Sequence, residues 1–304
     1  MNKLYSYNKY LLSNDPVLTF EKILKINFMK KAILFVITGI FMIATGYSQI
    51  SNQVGHKAIA GKYEQVSSGR AAANVLVFRD ELAWGVNTLV PALVGTGATV
   101  TTATSAEMAT IDLTPFCLVI FESNQSTDFY TTYIANLAKF SNWVMNGGTL
   151  EFHACVYSST RDVLGATPLP GGASTFATSY LDITNYIADA GHPINAGLSD
   201  PLTGSYASHD AFTNLVAGTD IINTNTTGLP TTIEYMLGQG RVVATGQTWE
   251  IANELGWNVG TEMVNCVNYT TAVCSNQVVP LNTWAIFAGI FLILAFTVIR
   301  YRRA

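Results

Sequence analysis

Between Asn74 and Cys155 the chain alternates short apolar runs with amphipathic stretches, and few folds accept that order. Asn74-Val75-Leu76-Val77-Phe78 is short, continuous and β-branched, which reads as a strand buried on both faces. Leu82, Val86, Leu89, Val90 and Leu93 then recur at helical spacing over 82–94, and Gly95 and Gly97 supply a stop. Ala98 to Thr102 is a second strand, and Phe116 to Phe121, after Pro115, is the clearest buried strand of the chain. Over 127–145 the residues Tyr130, Tyr133, Ile134, Leu137, Phe140, Trp143 and Val144 form one apolar stripe, predicting a single amphipathic helix capped by Gly147. A strand around Leu150 follows. Strand, helix, strand, helix, strand with short turns predicts an α/β fold with a doubly wound, mostly parallel sheet and right-handed crossovers.

The second half is less regular. Ile221-Ile222, Thr231 to Leu237 and Arg241 to Thr245 read as strands, the last two joined as a hairpin through Gly238-Gln239-Gly240. In open α/β sheets ligands gather at the carboxyl ends of strands. That rule directs attention to Gly147–Cys155, a glycine turn, a strand and a thiol just past its end. Glu151 and His153 share one face of that strand, since strand side chains alternate with a period of two. With His192 and His209 they are candidates for a polar binding cluster at the sheet edge; no metal is assigned, because spacing alone does not show that three or four ligands converge. His192, before Pro193, also suits a turn. Asp210 and Glu250 read as helix caps or first-turn acids, and Trp249 and Trp257 as packing residues before sugar platforms.

The ends of the chain point to export. Met29-Lys30-Lys31, the apolar run Ala32 to Ala44 and the small-residue end Gly46-Tyr47-Ser48 have the layout of a secretory signal peptide, with cleavage expected before Gln49. Met29 is thus read as the true start, residues 1–28 as an upstream extension, 29–48 as the signal and 49–73 as a flexible lead-in. Leu281 to Ile299 carries no charge over about 19 residues, enough to cross a bilayer. Trp284 suits one interface, and Arg300, Arg302 and Arg303 suit the cytoplasmic one. The expected location is the cell envelope or surface, on a single membrane pass whose carboxyl terminus is cytoplasmic before processing. A net charge of −4 offers no basic footprint for nucleic acid, and no cofactor motif is present. Of the four cysteines, Cys266 and Cys274 lie close together in a polar segment, read as a linker over 259–279. In an oxidising compartment they are expected to form a local disulfide.

Two resemblances carry further expectations. The tail, Val279-Pro280-Leu281-Asn282-Thr283-Trp284 followed by the span and the arginines, resembles the carboxyl-terminal sorting signals of bacterial surface proteins of the IPTL-CTERM kind, related to PEP-CTERM, with Val-Pro-Leu in place of Ile-Pro-Thr-Leu. That resemblance implies an exosortase-like protease as a processing partner for residues 280–304. The body resembles the class I glutamine amidotransferase-like superfamily, with its flavodoxin-like sheet, over 74–258. The stretches that carry it are NVLVF from Asn74, CLVIFES from Cys117, WVMNGGTLEFHAC from Trp143, LPGG from Leu169, HPINAGL from His192, SYASHDAF from Ser205 and IEYMLGQGRVVATGQTWE from Ile233.

A working member of that superfamily needs its cysteine on a strained strand-to-helix elbow with glycines two residues before and two after. Here those positions hold His153 and Tyr157, and the His-x-Glu pair that would activate the thiol is replaced by His209-Asp210-Ala211. Cys155, His153 and His209 therefore stand only as catalytic candidates. The reading favoured by the sequence is a surface-anchored, non-catalytic module for a protein or glycan ligand or for envelope assembly. The alternative is a cysteine- or metal-dependent hydrolase or amidase on the same fold.

Overall fold

The computed structural model describes residues 72–157, 160, 164–177, 183–204 and 208–275, with isolated positions near the carboxyl end. The chain divides into Met1–Glu64 and Gln65–Ala304, and the first of these lies outside the described residues. So do the signal peptide expected over 29–48 and most of the span expected over 281–299. Among the described residues no helix is long and apolar enough to cross a membrane.

In chain order the elements are β1 (Asn74–Phe78), α1 (Leu89–Gly95), β2 (Thr99–Ala103), β3 (Leu118–Phe121), α2 (Thr127–Ala135), α3 (Leu137–Met145) and β4 (Thr149–His153). There follow β5 (Ser174–Ala177), β6 (Thr184–Ile187), β7 (Leu202–Thr203), β8 (Asp210–Thr213), β9 (Asp220–Asn225), β10 (Pro230–Leu237), β11 (Gly240–Thr245), α4 (Trp249–Glu254) and α5 (Asn258–Ser275). A nine-stranded sheet runs β2-β1-β3-β4-β11-β10-β9-β6-β7, and β5 and β8 form a separate pair. The first five strands of that order are mutually parallel. With β11 as the fifth parallel strand, this is the 2-1-3-4-5 order of flavodoxin-like domains. The antiparallel strands β10, β9, β6 and β7 extend one side, starting from the β10–β11 hairpin expected through Gly238-Gln239-Gly240, whose last glycine opens β11.

Alternation along the central strands splits the core into two layers. Leu76, Phe78, Val119, Phe121, Leu150 and Phe152 face α2 and α3 with Phe129, Tyr133 and Phe140. Val75, Val77, Leu118 and Ile120 face Leu89, Trp249, Met263 and Val267 of α1, α4 and α5. Phe121 sits at the centre of the first layer, its ring 4.8 Å from Tyr133, 4.9 Å from Phe140, 5.2 Å from Phe78 and 5.4 Å from Phe152.

In its helices and disulfide the structure departs from the sequence reading in four places. The helix expected over 127–145 is two, because Asn136 leaves the helical region (φ −106°, ψ 8°) and its side-chain amide donates to Thr132 O at 2.9 Å. The helix expected over 82–94 begins only at Leu89, since Trp84 (φ 53°) and Gly85 (φ 77°) take left-handed backbone and end a single turn there. The linker expected over 259–279 is helix α5 as far as Ser275; Val259, Met263, Cys266, Val267 and Thr270 fall on one face and are buried, a stripe diluted in the sequence by Thr and Asn.

The fourth departure is the disulfide. Cys274 is bonded to Cys117, just before β3, with a Cα separation of 5.2 Å, and Cys266 remains a buried thiol. The expected Cys266–Cys274 bridge is corrected by the helix that holds both. Eight helical positions rise about 12 Å, about twice the Cα distance a disulfide spans.

Candidate functional site at the carboxyl edge of the sheet

The strand order reverses between β1 and β3, and the loops that leave β1 and β3 there join β4, α4 and α5 in a buried polar chain. Glu151 and His153 occupy alternate positions of β4 and face α5. The edge also receives Glu250 from the first turn of α4, and Glu122 and Ser123 from the two positions after β3. All five side chains are fully buried.

His153 lies between two carboxylates. Its Nδ1 is 2.6 Å from Glu250 Oε1, and its Nε2 is 2.7 Å from Glu151 Oε1. Burial works against a charged ring, but the Glu250 charge, the hydrogen bonds to Glu151 and Glu250, and the Glu151 charge together lift His153 to about 10. The ring is an imidazolium at neutral pH and donates from both nitrogens. Glu250 shows the counterpart: burial alone would raise it, but the His153 charge and the His153 and Ser123 hydrogen bonds hold it below the usual carboxylate range. Ser123 Oγ donates to Glu250 Oε2 at 2.6 Å and accepts from Trp84 Nε1 at 3.0 Å. At the other end Thr270 Oγ1, from α5, donates to Glu151 Oε2 at 3.0 Å. The chain of contacts thus runs Trp84, Ser123, Glu250, His153, Glu151, Thr270.

Glu122 stands beside this chain. Its charged partner is Arg79, at 3.5 Å, whose Nη1 also donates to Asn87 Oδ1 at 3.1 Å. Burial first, then the Glu250 charge, push Glu122 up to about 7, and Arg79 only partly offsets them. Gln125 ties the two loops together, accepting from the amides of Asp80 and Glu81 at 2.8 and 3.1 Å and donating to Glu81 O at 3.0 Å.

The histidines named from the sequence do not form one cluster. His153 and Glu151 belong to the chain just described. His192 lies on the antiparallel extension, its Nδ1 accepting from the Ile194 amide at 3.2 Å and its Nε2 donating to Glu234 Oε2 at 2.6 Å. It caps the turn Pro193–Asn195 through that Ile194 contact. Burial holds His192 below its usual value despite Asp220 and Asp189. Glu234 also receives Tyr269 Oη at 2.9 Å and pairs with Arg241. His209 packs against Trp84, edge to face at 5.4 Å, and donates from Nδ1 to Val156 O at 3.1 Å. Burial holds it below its usual value. Asp210 caps no helix; it opens β8 and accepts from the Val156 amide at 3.3 Å. Among the described residues no three His, Cys, Asp or Glu side chains are arranged to hold a metal ion.

Cys155 is fully buried, and its carbonyl accepts from the Asn124 amide at 2.8 Å. Among the described non-glycine residues positive φ is found at Trp84, Asn124 and Asn214, not at Cys155, so the thiol does not sit on an elbow backbone. Both ring nitrogens of His153 are taken by carboxylates, leaving none for the thiol. Sequence reasoning found Glu151 and His153 and read Glu250 as a cap or first-turn acid, the latter being its place in α4, but passed over Glu122, Ser123, Trp84, Arg79 and Thr270. The signal for two of them was in the chain: Glu122-Ser123 is a polar pair at the carboxyl end of an otherwise apolar strand.

The strand order and this edge define a flavodoxin-like α/β domain with an antiparallel extension. No family profile matches the chain. A stretch of 212 residues, 68% of this chain, is 26% identical to an uncharacterized protein of Clostridium acetobutylicum, of whose length it spans 21%. Similar solved structures include a putative GMP synthase component from Thermoplasma acidophilum, 11% identical over 68% of this chain and 96% of that one, with a TM-score of 0.45. A glutamine amidotransferase from Thermotoga maritima is 8% identical over 67% of this chain and 94% of that one, with a TM-score of 0.42. These are likenesses of architecture, and the fold assignment stands on the strand pairings themselves.

Proposed function

We propose that this domain is a non-catalytic binding module, exported and held at the cell envelope. The observation that carries the reading is the occupation of His153: an imidazolium held on both nitrogens by buried carboxylates is neither a general base nor a thiol activator. The ordinary backbone and full burial of Cys155 support the same reading. The Cys117–Cys274 bond supports an oxidising compartment, since such bonds persist outside the cytosol. The membrane span over Leu281 to Ile299 and its processing by an exosortase-like protease belong to the same proposal, on the residues given above.

One observation favours the hydrolase reading: Glu122, pushed up to about 7 at a strand's carboxyl end, has the acidity of a general acid. The two readings separate on Cys155. Iodoacetamide at neutral pH is expected to label Cys155 slowly in the folded protein, and Cys155→Ala is expected to keep both the fold and the cellular phenotype. Rapid labelling, or loss of the phenotype in a folded and exported Cys155→Ala protein, overturns the binding-module reading.

A further inference from the structure

We propose that Glu122, Arg79 and Asn87 form a proton-operated latch on the strap 82–88, the segment that leads from β1 into α1. With Glu122 protonated, Arg79 holds Asn87. With Glu122 ionised, Arg79 turns inward to it and lets that end of the strap go. The latch stands apart from the binding-module reading, since it concerns a movement of the fold and no ligand.

The side chains are arranged as a latch in its protonated position. The sheet fixes the backbone at both anchor points: the Arg79 amide donates to Ala103 O at 2.9 Å, and the Glu122 amide to Phe78 O at 3.2 Å. Only the side chains are free to change partner. Glu122 is fully buried, and among the described residues neither of its carboxyl oxygens has a hydrogen-bond partner. Arg79 Nη1 stands 3.5 Å from Glu122 Oε2, beyond the roughly 2.7–2.9 Å at which a guanidinium grips a carboxylate. The same nitrogen donates to Asn87 Oδ1 at 3.1 Å. A carboxylate draws a guanidinium about twice as strongly as a neutral amide does. The preference of Arg79 for Asn87 therefore marks a neutral Glu122.

Charge explains why the proton stays. The charged groups that face Glu122 are Arg79 after β1, Glu250 of α4 and His153 of β4; the strap and α1 carry no ionisable side chain. His153 has its charge answered already by Glu250 at 2.6 Å and Glu151 at 2.7 Å. Burial first, then the Glu250 charge, oppose a negative Glu122, and Arg79 offsets them only in part. The acid is thereby pushed up to about 7, so a small change around neutral pH decides which partner Arg79 takes.

Side-chain hydrogen bonds hold the strap at three points. Trp84 Nε1 donates to Ser123 Oγ at 3.0 Å, Thr88 Oγ1 donates to Glu250 O at 3.1 Å, and Asn87 accepts from Arg79. Within the strap Trp84 keeps a left-handed backbone (φ 53°), which persists only where the surroundings impose it. Of the three ties, the one to Arg79 has a titrating competitor beside it. Its loss frees Asn87, which is exposed, and leaves the ties at Trp84 and Thr88 in place. The movement is accordingly a local opening over 86–88, with α1 staying on the sheet.

The test is amide hydrogen exchange of the full-length protein between pH 5.5 and 8.5, read as protection relative to an unstructured peptide of the same sequence at each pH. Protection over 86–88 is expected to fall about fivefold as pH rises through 7, the worth of one hydrogen bond, while β3 stays protected. Asn87→Ala removes the outer partner at an exposed position and is expected to show the low protection at every pH. Glu122→Gln keeps a neutral side chain of the same size and is expected to hold the high protection throughout. Glu262→Gln removes the other acid raised by burial and is expected to keep the transition. Constant protection in the unaltered protein, a transition that survives in Asn87→Ala or Glu122→Gln, or one that is lost in Glu262→Gln overturns the latch.

Discussion

Glu250 Oε1 on the first turn of α4 lies 2.6 Å from Nδ1 of His153 on the last residue of β4, joining positions 97 residues apart inside the sheet edge. Removing His153 leaves two buried carboxylates without their cation, whereas removing Glu250 leaves the imidazolium paired with Glu151. Breaking such a buried pair costs about 3–5 kcal/mol. His153→Ala is expected to lose about that much in urea-unfolding stability, Glu250→Ala less because Glu151 still pairs the ring, and the double variant less than the sum. Additive losses would show that the two groups do not interact in solution.

Two buried acids predict how stability depends on pH. Glu122 rises to about 7, and Glu262, wholly buried in α5, rises to about 8, burial being the first cause in both. An acid raised above its unfolded value stabilises fully below that unfolded value and loses its contribution as pH climbs through the folded one. Stability is therefore expected to fall as pH rises from about 4.5 to 8. Glu262→Gln, which keeps the bonds to Thr232 and Asn223 without a titrating proton, is expected to flatten the upper part of that fall. Thermal melts at pH 5, 6.5 and 8 on both proteins check it; parallel curves refute the assignment to Glu262.

The Cys117–Cys274 bond closes a loop of 157 residues. Loop-closure entropy alone sets its worth at on the order of 5 kcal/mol. Non-reducing peptide mapping is expected to recover Cys117 joined to Cys274, with Cys155 and Cys266 as thiols. Cys274→Ser is expected to destabilise the domain markedly and to loosen α5, read as faster amide exchange over Asn258–Ser275. A Cys266–Cys274 peptide in the map would contradict the helix.

Gly246 follows β11, and a side chain there would collide with the backbone carbonyl of Asp210. That close crossing lets the Gly246 carbonyl accept the His209 amide at 3.0 Å. Because the obstacle is backbone, Gly246→Ala is expected to displace the start of β8 and to cost about 1–3 kcal/mol. A variant as stable as the unaltered protein would mean that the two segments do not cross so closely.

Export has its own check. Amino-terminal sequencing of the mature protein is expected to start near Gln49, and deletion of residues 281–304 to release the domain into the medium. A mature chain starting at Met1, or a truncated protein that stays with the membrane, contradicts the expected topology.

By itself the sequence determined the parallel half of the sheet. Runs such as Val75–Phe78 and Leu118–Phe121 are apolar at every position because both faces are covered, and that pattern depends on near neighbours only. The β10–β11 hairpin was legible for the same reason, its turn being local. Only the tertiary structure decided the rest. Helix α5 hid in a polar composition, because its Thr270 and Asn265 find their partners at Glu151 and at the Ile194 carbonyl, far away in the chain. The partner of Cys274 depended on that helix, which separates the nearer cysteine and presents the farther one. The site followed the same logic. Glu151 and His153 were visible as strand neighbours on one face, but Glu250, Ser123 and Trp84 join them through contacts between loops that no spacing encodes. Whether His153 is a base or a captive ion rests on two carboxylates brought to its ring by folding, and the charge on a buried group is set by what surrounds it.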